Sequence, residues 1–247
     1  MVCTGNPDPT YTETNIPWTI RVISDDRQSS YALAYHMHKK MGHSRVAIMR
    51  ANNRYGRVGV MEYADAAVRM GYPKVIEERF RNGETDFRSQ LERIKKTSPD
   101  AILIWANAKE SALILKQIRA MNLKQPVYGS DRMVSPEFLK IAGPLAEGIL
   151  TTSPYNPESN NPKLKAFQTN YYERFKQQPD VFAAHAYDGM NIIIESIRQV
   201  GLNRVLIRDV LTDLKTFQNY QGITGKIVFD QTWNDVGDIW MAEVRNG

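Results

Sequence analysis

The chain predicts an α/β fold built on a doubly wound parallel sheet, and three observations carry that reading. Short β-branched runs alternate with segments of helical periodicity from residue 45 to residue 142. One of those runs, "DAILIW" (100–105), is nearly all apolar, as a strand covered on both faces must be. The segments that follow the strands, "RANNRYG", "ANAKE" and "GSDRM", are polar or aromatic loops, and in a parallel sheet they fall at the same edge.

Element by element, "RVAIM" (45–49) is the first strand of the layer. "RVGVMEYADAAVRMG" (57–71) is its helix, stopped by Gly71. "KVIEERF" (74–80) is the next strand, and "DFRSQLERIKK" (86–96) the next helix. Asp86 stands at a plausible N-cap there, and Phe87, Leu91 and Ile94 share one face. Strand 100–105 is followed by the crossover helix "KESALILKQIRAMN" (109–122), and "PVYGS" with "SPEFLKIAG" repeats the unit. Further on, "EGILTTSPYNPESNNP" (147–162) is a strand running into a loop, and "KLKAFQTNYYERFKQ" (163–177) an amphipathic helix. "DVFAAHAYDGMNIIIESIRQVG" (180–201) is apolar on most sides, which predicts a helix buried between layers. "VLIRDVLTDL" (205–214) is a last helix, and 223–244 is expected to form a hairpin with a polar turn.

The 247 residues suffice for one large α/β domain or two lobes. The net charge of +5 comes from basic residues interleaved with acids, as in "ERIKK", rather than from the one-sided stripe of a nucleic-acid binder. No run approaches the length of a membrane span. The single Cys3 excludes an internal disulfide and has no obvious base. The two residues before Cys3 cannot form the apolar core of a signal peptide, so either the chain is cytoplasmic or its beginning lies elsewhere. His36 and His38, two apart on a helix, point to different faces and cannot share a metal; surface positions are expected for both. Ser153 and His185 lack a Gly-x-Ser-x-Gly elbow and there is no phosphate-cradling glycine loop, so neither an enzyme nor any cofactor is expected.

The strand-end loops place Tyr55, Asn107 and Asp131 at one binding edge. Each also has a bland reading: Tyr55 covers the sheet end, Asn107 caps helix 109–122, and Asp131 starts the turn before Ser135 and Pro136.

The order "SDDRQSSYALAYHM", "RVAIMRANNRYGRVG", "GETDFRSQLERIKKTSPDAILIWAN", "LKQPVYGSDRMVSPEFLKIAGPLAEGILTTSPYNP", "AHAYDGMNIIIESI" and "ITGKIVFDQTWNDVG" resembles the leucine/isoleucine/valine-type periplasmic binding proteins of ABC importers, the type I periplasmic-binding fold. Each motif is weak; six in the family's order are a strong signal. The resemblance implies two lobes closing on a small ligand, an amino acid or related amide, that is delivered to a membrane permease. It also implies a periplasmic or extracytoplasmic location. The implied organisation is 1–23 as the end of lobe 1 and a crossing strand, 24–153 as lobe 2, 154–204 as lobe 1 helices, and 205–247 as the last helix and terminal hairpin of lobe 2. Lobe 2 is then complete and lobe 1 partial, with an apolar helix face that favours self-association and a chain that binds amino acids weakly or not at all by itself.

Position by position, the resemblance puts ligand contacts on Thr4 and Asn6 in lobe 1 and on Tyr55, Asn107 and Asp131 in lobe 2. Asp131 would face a ligand ammonium, and donors near Thr4 would face its carboxylate. Two departures, Asn107 where leucine binders often carry an aromatic and Arg132 beside Asp131, open the site to polar or acidic ligands. Two other readings of the same fold are a ligand-sensing domain of a receptor or regulator and an interaction module without a ligand.

Overall fold

The computed structural model describes residues 1–14, 16–73, 76–213 and 220–245. It divides into two compact units: Met1–Gln28 with Pro154–Trp240, and Ser29–Ser153 with Met241–Gly247.

The second unit holds the large sheet. Its strands in chain order are β3 (Val46–Ala51), β4 (Ile76–Phe80), β5 (Ala101–Trp105), β6 (Val127–Gly129), β7 (Leu150–Ser153) and β10 (Trp240–Glu243), and their spatial order is β10-β7-β6-β5-β3-β4. Neighbours from β4 through to β7 pair in parallel. The order reverses between β3 and β5, and that switch point opens a crevice at their carboxyl ends.

The alternation of side chains explains why β5 is apolar throughout. Ile102 and Ile104 enter one core with Ala47, Met49, Leu91 and Ile114, while Ala101, Leu103 and Trp105 enter the opposite core with Val46, Ile48, Leu33 and Tyr63. The helices are α2 (Asp26–Tyr35), α3 (Arg54–Arg69), α4 (Arg88–Lys96), α5 (Ala108–Ala120) and α6 (Pro136–Ala142). Phe87, Leu91 and Ile94 are fully buried, as their spacing requires. Asp86 lies one residue outside the cap position, which Phe87 takes, and accepts the Arg88 N–H instead. Gly71, at φ +88°, follows the C-cap Met70 of α3. Lys74 and Val75 of the expected strand 74–80, and Leu214 of the expected helix 205–214, lie outside the described residues.

In the first unit β1 (Val2–Cys3) pairs in parallel with β2 (Ile20–Arg21), after a short α1 (Thr10–Glu13). Helices α7 (Pro162–Phe175), α8 (Val181–Val200) and α9 (Arg204–Thr212) follow, with β8 (Tyr220–Gln221) and β9 (Lys226–Ile227). Ile20, Val22, Ile192, Leu211, Ile227 and Phe229 form its main core.

Three expectations are corrected here. Residues 205–240 belong to the first unit, and only the last residues, from Met241, join the large sheet's unit; α9 packs on α8 because its apolar Ile207, Val210 and Leu211 complete the core around Ile192. The terminal hairpin 223–244 is reduced to its tip, where Phe229 and Asp235 form an antiparallel bridge and the Val236 N–H donates to the Val228 carbonyl; β9 pairs antiparallel with β8, and β10 leaves for the edge of the large sheet beside β7. The intervening turn is held by Asp230, which accepts the Thr232 and Asn234 N–H groups, and by Arg21, whose backbone bonds Trp233 and Asp235. Helix α8 is not covered all round. Ala184, His185, Asp188 and Ile192 are buried, but Tyr187, Met190 and Ile194 are 45%, 56% and 38% exposed.

His38 is a further correction, since it is buried rather than on the surface. Five residues of π-helix, His36–Lys40, extend α2 and turn His38 inward, where its Nδ1 lies 2.6 Å from the His43 carbonyl and its Nε2 3.0 Å from the Tyr63 hydroxyl.

Candidate functional site

The loop after β3 resolves what the stretch "ANNRYG" does. Asn53 caps α3, its side-chain oxygen accepting the Gly56 N–H at 2.8 Å, and its amide donates to Asn82. The cap sets the first helical turn, so Tyr55 falls beside the carboxyl end of the sheet. Two glycines allow the helix to lie this close. A Cβ on Gly56 would stand 2.2 Å from the Ala51 carbonyl oxygen, and one on Gly59 2.0 Å from the Trp105 indole.

The loop after β6 supplies the partner. Gly129 lets Met133 fold back beneath it, since a Cβ there would meet the Met133 sulfur at 2.0 Å, and Asp131 begins a 3-10 turn over Asp131–Val134. The Tyr55 hydroxyl donates to Asp131 Oδ1 at 2.9 Å. The Arg132 guanidinium lies over the Tyr55 ring at 5.4 Å from its centroid, and its Nε is 4.0 Å from Asp131 Oδ1. Trp105, fully buried at the end of β5, sits 6.2 Å from the Tyr55 ring. The result is a half-buried phenol, carboxylate and guanidinium on an aromatic floor, able to take a ligand that carries both a cation and an anion.

Asn107 occupies the N-cap position of α5 without a side-chain hydrogen bond to the helix, is exposed, and makes no hydrogen bond to Tyr55 or Asp131 among the described residues. Tyr55 and Asp131 are thus brought together, and Asn107 is not joined to them.

In the first unit Thr4 and Asn6 follow β1. The Thr4 methyl lies against α8, 3.1 Å from where a Cβ on Gly189 would stand. Asn6 accepts the Asp8 N–H with its side-chain carbonyl and the Arg21 guanidinium with its backbone carbonyl. Arg21, which the sequence reading passed over, is fully buried and spends its guanidinium on Asn234, Thr12, Asp25 and the carbonyls of Asn6 and Asp8. Desolvation lowers its pKa and raises that of Asp25. The sequence signal was available only as a charged residue inside the apolar run "TIRVI". Trp105 was legible as a strand residue, and its place under Tyr55 was not.

The sequence profile described as periplasmic binding protein matches residues 3–247. The chain belongs to the periplasmic binding protein family. Within that family it is 26% identical over 233 residues to a Leu/Ile/Val-binding protein homolog 2 of Brucella abortus, covering 93% of this chain and 61% of the relative. It is 26% identical over 207 residues to the Leu/Ile/Val/Thr-binding protein of Salmonella typhimurium, covering 82% and 54%. Among solved structures it is similar to a leucine binding protein from Thermotoga maritima, at 26% identity and a TM-score of 0.91, covering all of this chain and 70% of that one. The chain therefore spans about three fifths of the length of the curated relatives it matches. The type I periplasmic-binding fold read from the six motifs is borne out by that match.

Proposed function

We propose that this chain is the substrate-binding component of an ABC importer, taking an amino acid or related amide outside the cytoplasm and delivering it to a membrane permease by binding rather than catalysis. The observation that carries the reading is the Tyr55–Asp131 pair, with Arg132 beside it, at the switch point of a periplasmic-binding-protein sheet. Asp131 has acceptor capacity beyond the Tyr55 hydroxyl for a ligand ammonium, and Arg132 suits a carboxylate. Relatives at 26% identity carry leucine, isoleucine and valine in their names, which supports the amino-acid class. Tyr55, Asn107 and Asp131 are the proposed contacts of the second unit and Thr4 and Asn6 those of the first, each set read within its own unit.

Calorimetry against a panel of amino acids, on a version extended to the length of the curated relatives, tests this. Asp131→Asn is expected to weaken binding by roughly 1.5–3 kcal/mol, the range for a hydrogen bond to a charged group, with little change in stability. Unchanged affinity removes Asp131 from the ammonium role, and absence of any amino-acid binding sinks the assignment.

The exposed Tyr187, Met190 and Ile194 on one face of α8 support self-association of this chain. Sedimentation is expected to show a concentration-dependent dimer that Met190→Lys with Ile194→Lys converts to monomer; a monomer at every concentration rules it out.

A further inference from the structure

Away from Tyr55 and Asp131, the first unit contains a polar cavity of its own. Its lining includes Ser24, Thr224, Lys226, Asp235, Asp238 and Trp240, and none of the proposed amino-acid contacts. Pro154 and Trp240, where the chain enters and leaves the unit, also line it.

Two of these groups keep hydrogen-bonding capacity that the fold does not use. Ser24 is 6% exposed, and its hydroxyl has no hydrogen-bond partner among the described residues. A buried hydroxyl left unpaired costs free energy that a ligand would recover. Asp235 is equally buried. One of its oxygens accepts the N–H groups of Val228 and Gly237, at 3.1 and 3.0 Å, and among the described residues no donor reaches the other. Thr224, by contrast, is committed, its hydroxyl donating to the buried Asp188. Two carboxylates and one ammonium in the lining favour a cation. No group of three His, Cys, Asp or Glu able to hold a metal exists among the described residues, so the donor set is that of an organic cation rather than a metal ion.

We propose that this cavity binds the ammonium group of a small organic cation, with the Asp235 carboxylate and the Ser24 hydroxyl as its acceptors and the Trp240 ring as the aromatic part of the wall. A carboxylate and a hydroxyl satisfy two of the three ammonium donors, and an aromatic ring attracts the same charge.

The charges around Asp235 make the site pH-dependent. Burial pushes its carboxyl up to about 6, helped by Asp188 on α8 and by Asp238. Lys226 lines the same cavity and is exposed, and Arg21, whose carbonyl receives the Asp235 N–H, keeps its guanidinium on Asp25. A bound cation would hold Asp235 ionised, so affinity is full about one unit above pH 6, is halved near it and falls toward tenfold for each further pH unit below.

The test is an amide-resolved NMR titration of the whole chain with methylammonium chloride, against sodium chloride at equal ionic strength. Saturable shifts are expected at the amides of Val228 and Gly237, the donors to Asp235. Asp235→Asn should weaken binding at least about tenfold and Ser24→Ala about fivefold. Should Asp235→Asn fail to fold, Ser24→Ala, which removes no existing hydrogen bond, decides. Equal shifts from sodium chloride, shifts confined to the loops of Tyr55 and Asp131, or undiminished affinity in Ser24→Ala would overturn the proposal.

Discussion

At the scale of single residues, contact with rigid neighbours decides what is tolerated. Gly59 is helical and needs no unusual backbone angle, yet its missing Cβ is the space that Trp105 fills. Gly59→Ala is expected to cost about 1–3 kcal/mol in urea melts, because an indole packed on all sides cannot retreat. His185 shows the same logic for charge. Burial pushes its pKa down to about 4, against the 6.5 of an exposed imidazole, despite the 2.7 Å contact of its Nδ1 with the Val181 carbonyl. The unfolded chain therefore takes up the proton first. The stabilising contribution is complete above pH 6.5, declines as the pH falls toward 4, and amounts to about 3 kcal/mol over that window. The other three histidines are shifted down as well, so the measurement is the difference between the stability profiles of the wild type and His185→Gln. Parallel profiles between pH 4 and 6.5 would contradict the buried neutral imidazole.

At the scale of the element, two asparagines hold the same position with opposite consequences. Asn53 and Asn107 both stand at helix N-caps with extended backbones, but only Asn53 accepts a backbone N–H with its side chain. Asn53→Ala is expected to lose about 1 kcal/mol, and Asn107→Ala to stay within about 0.5 kcal/mol, by thermal or urea unfolding. If Asn107→Ala nonetheless reduces ligand affinity, the side chain is held in reserve for the ligand. Equal stability losses in the two variants would mean that Asn107 caps its helix in solution. Both residues were legible as loop polar groups after strands. Which of them the helix uses depends on a rotamer and a turn that periodicity does not encode.

At the scale of the whole chain, segments distant in sequence are tied through Arg21. Its guanidinium joins the loop after β1, the start of α2 and the turn at Asn234, and Asn234 returns a hydrogen bond to Asp25. Arg21→Met would leave Asp25 buried beside Asn234 without its cation. The expected loss is about 3–5 kcal/mol in denaturant unfolding, the range for a buried pair broken from one side. A loss below 1 kcal/mol would mean that the network is solvated.

The sequence by itself determined the doubly wound sheet, because strands buried on both faces must be apolar throughout and their helices must carry one apolar stripe; "AILIW" and the Phe87, Leu91, Ile94 face state both conditions locally. It also brought Tyr55 and Asp131 to one edge, since parallel strands put every strand-to-helix loop on the same side. What only the tertiary structure decided was long-range pairing. Residues 223–244 have strand-like composition, and nothing local distinguishes a full hairpin from one bridged only at Phe229 and Asp235, captured by Arg21 and released to the edge beside β7. The burial of His38, the idle hydroxyl of Ser24 and the raised carboxyl of Asp235 are likewise consequences of which distant groups close over them, a property of the folded neighbourhood rather than of any window of sequence.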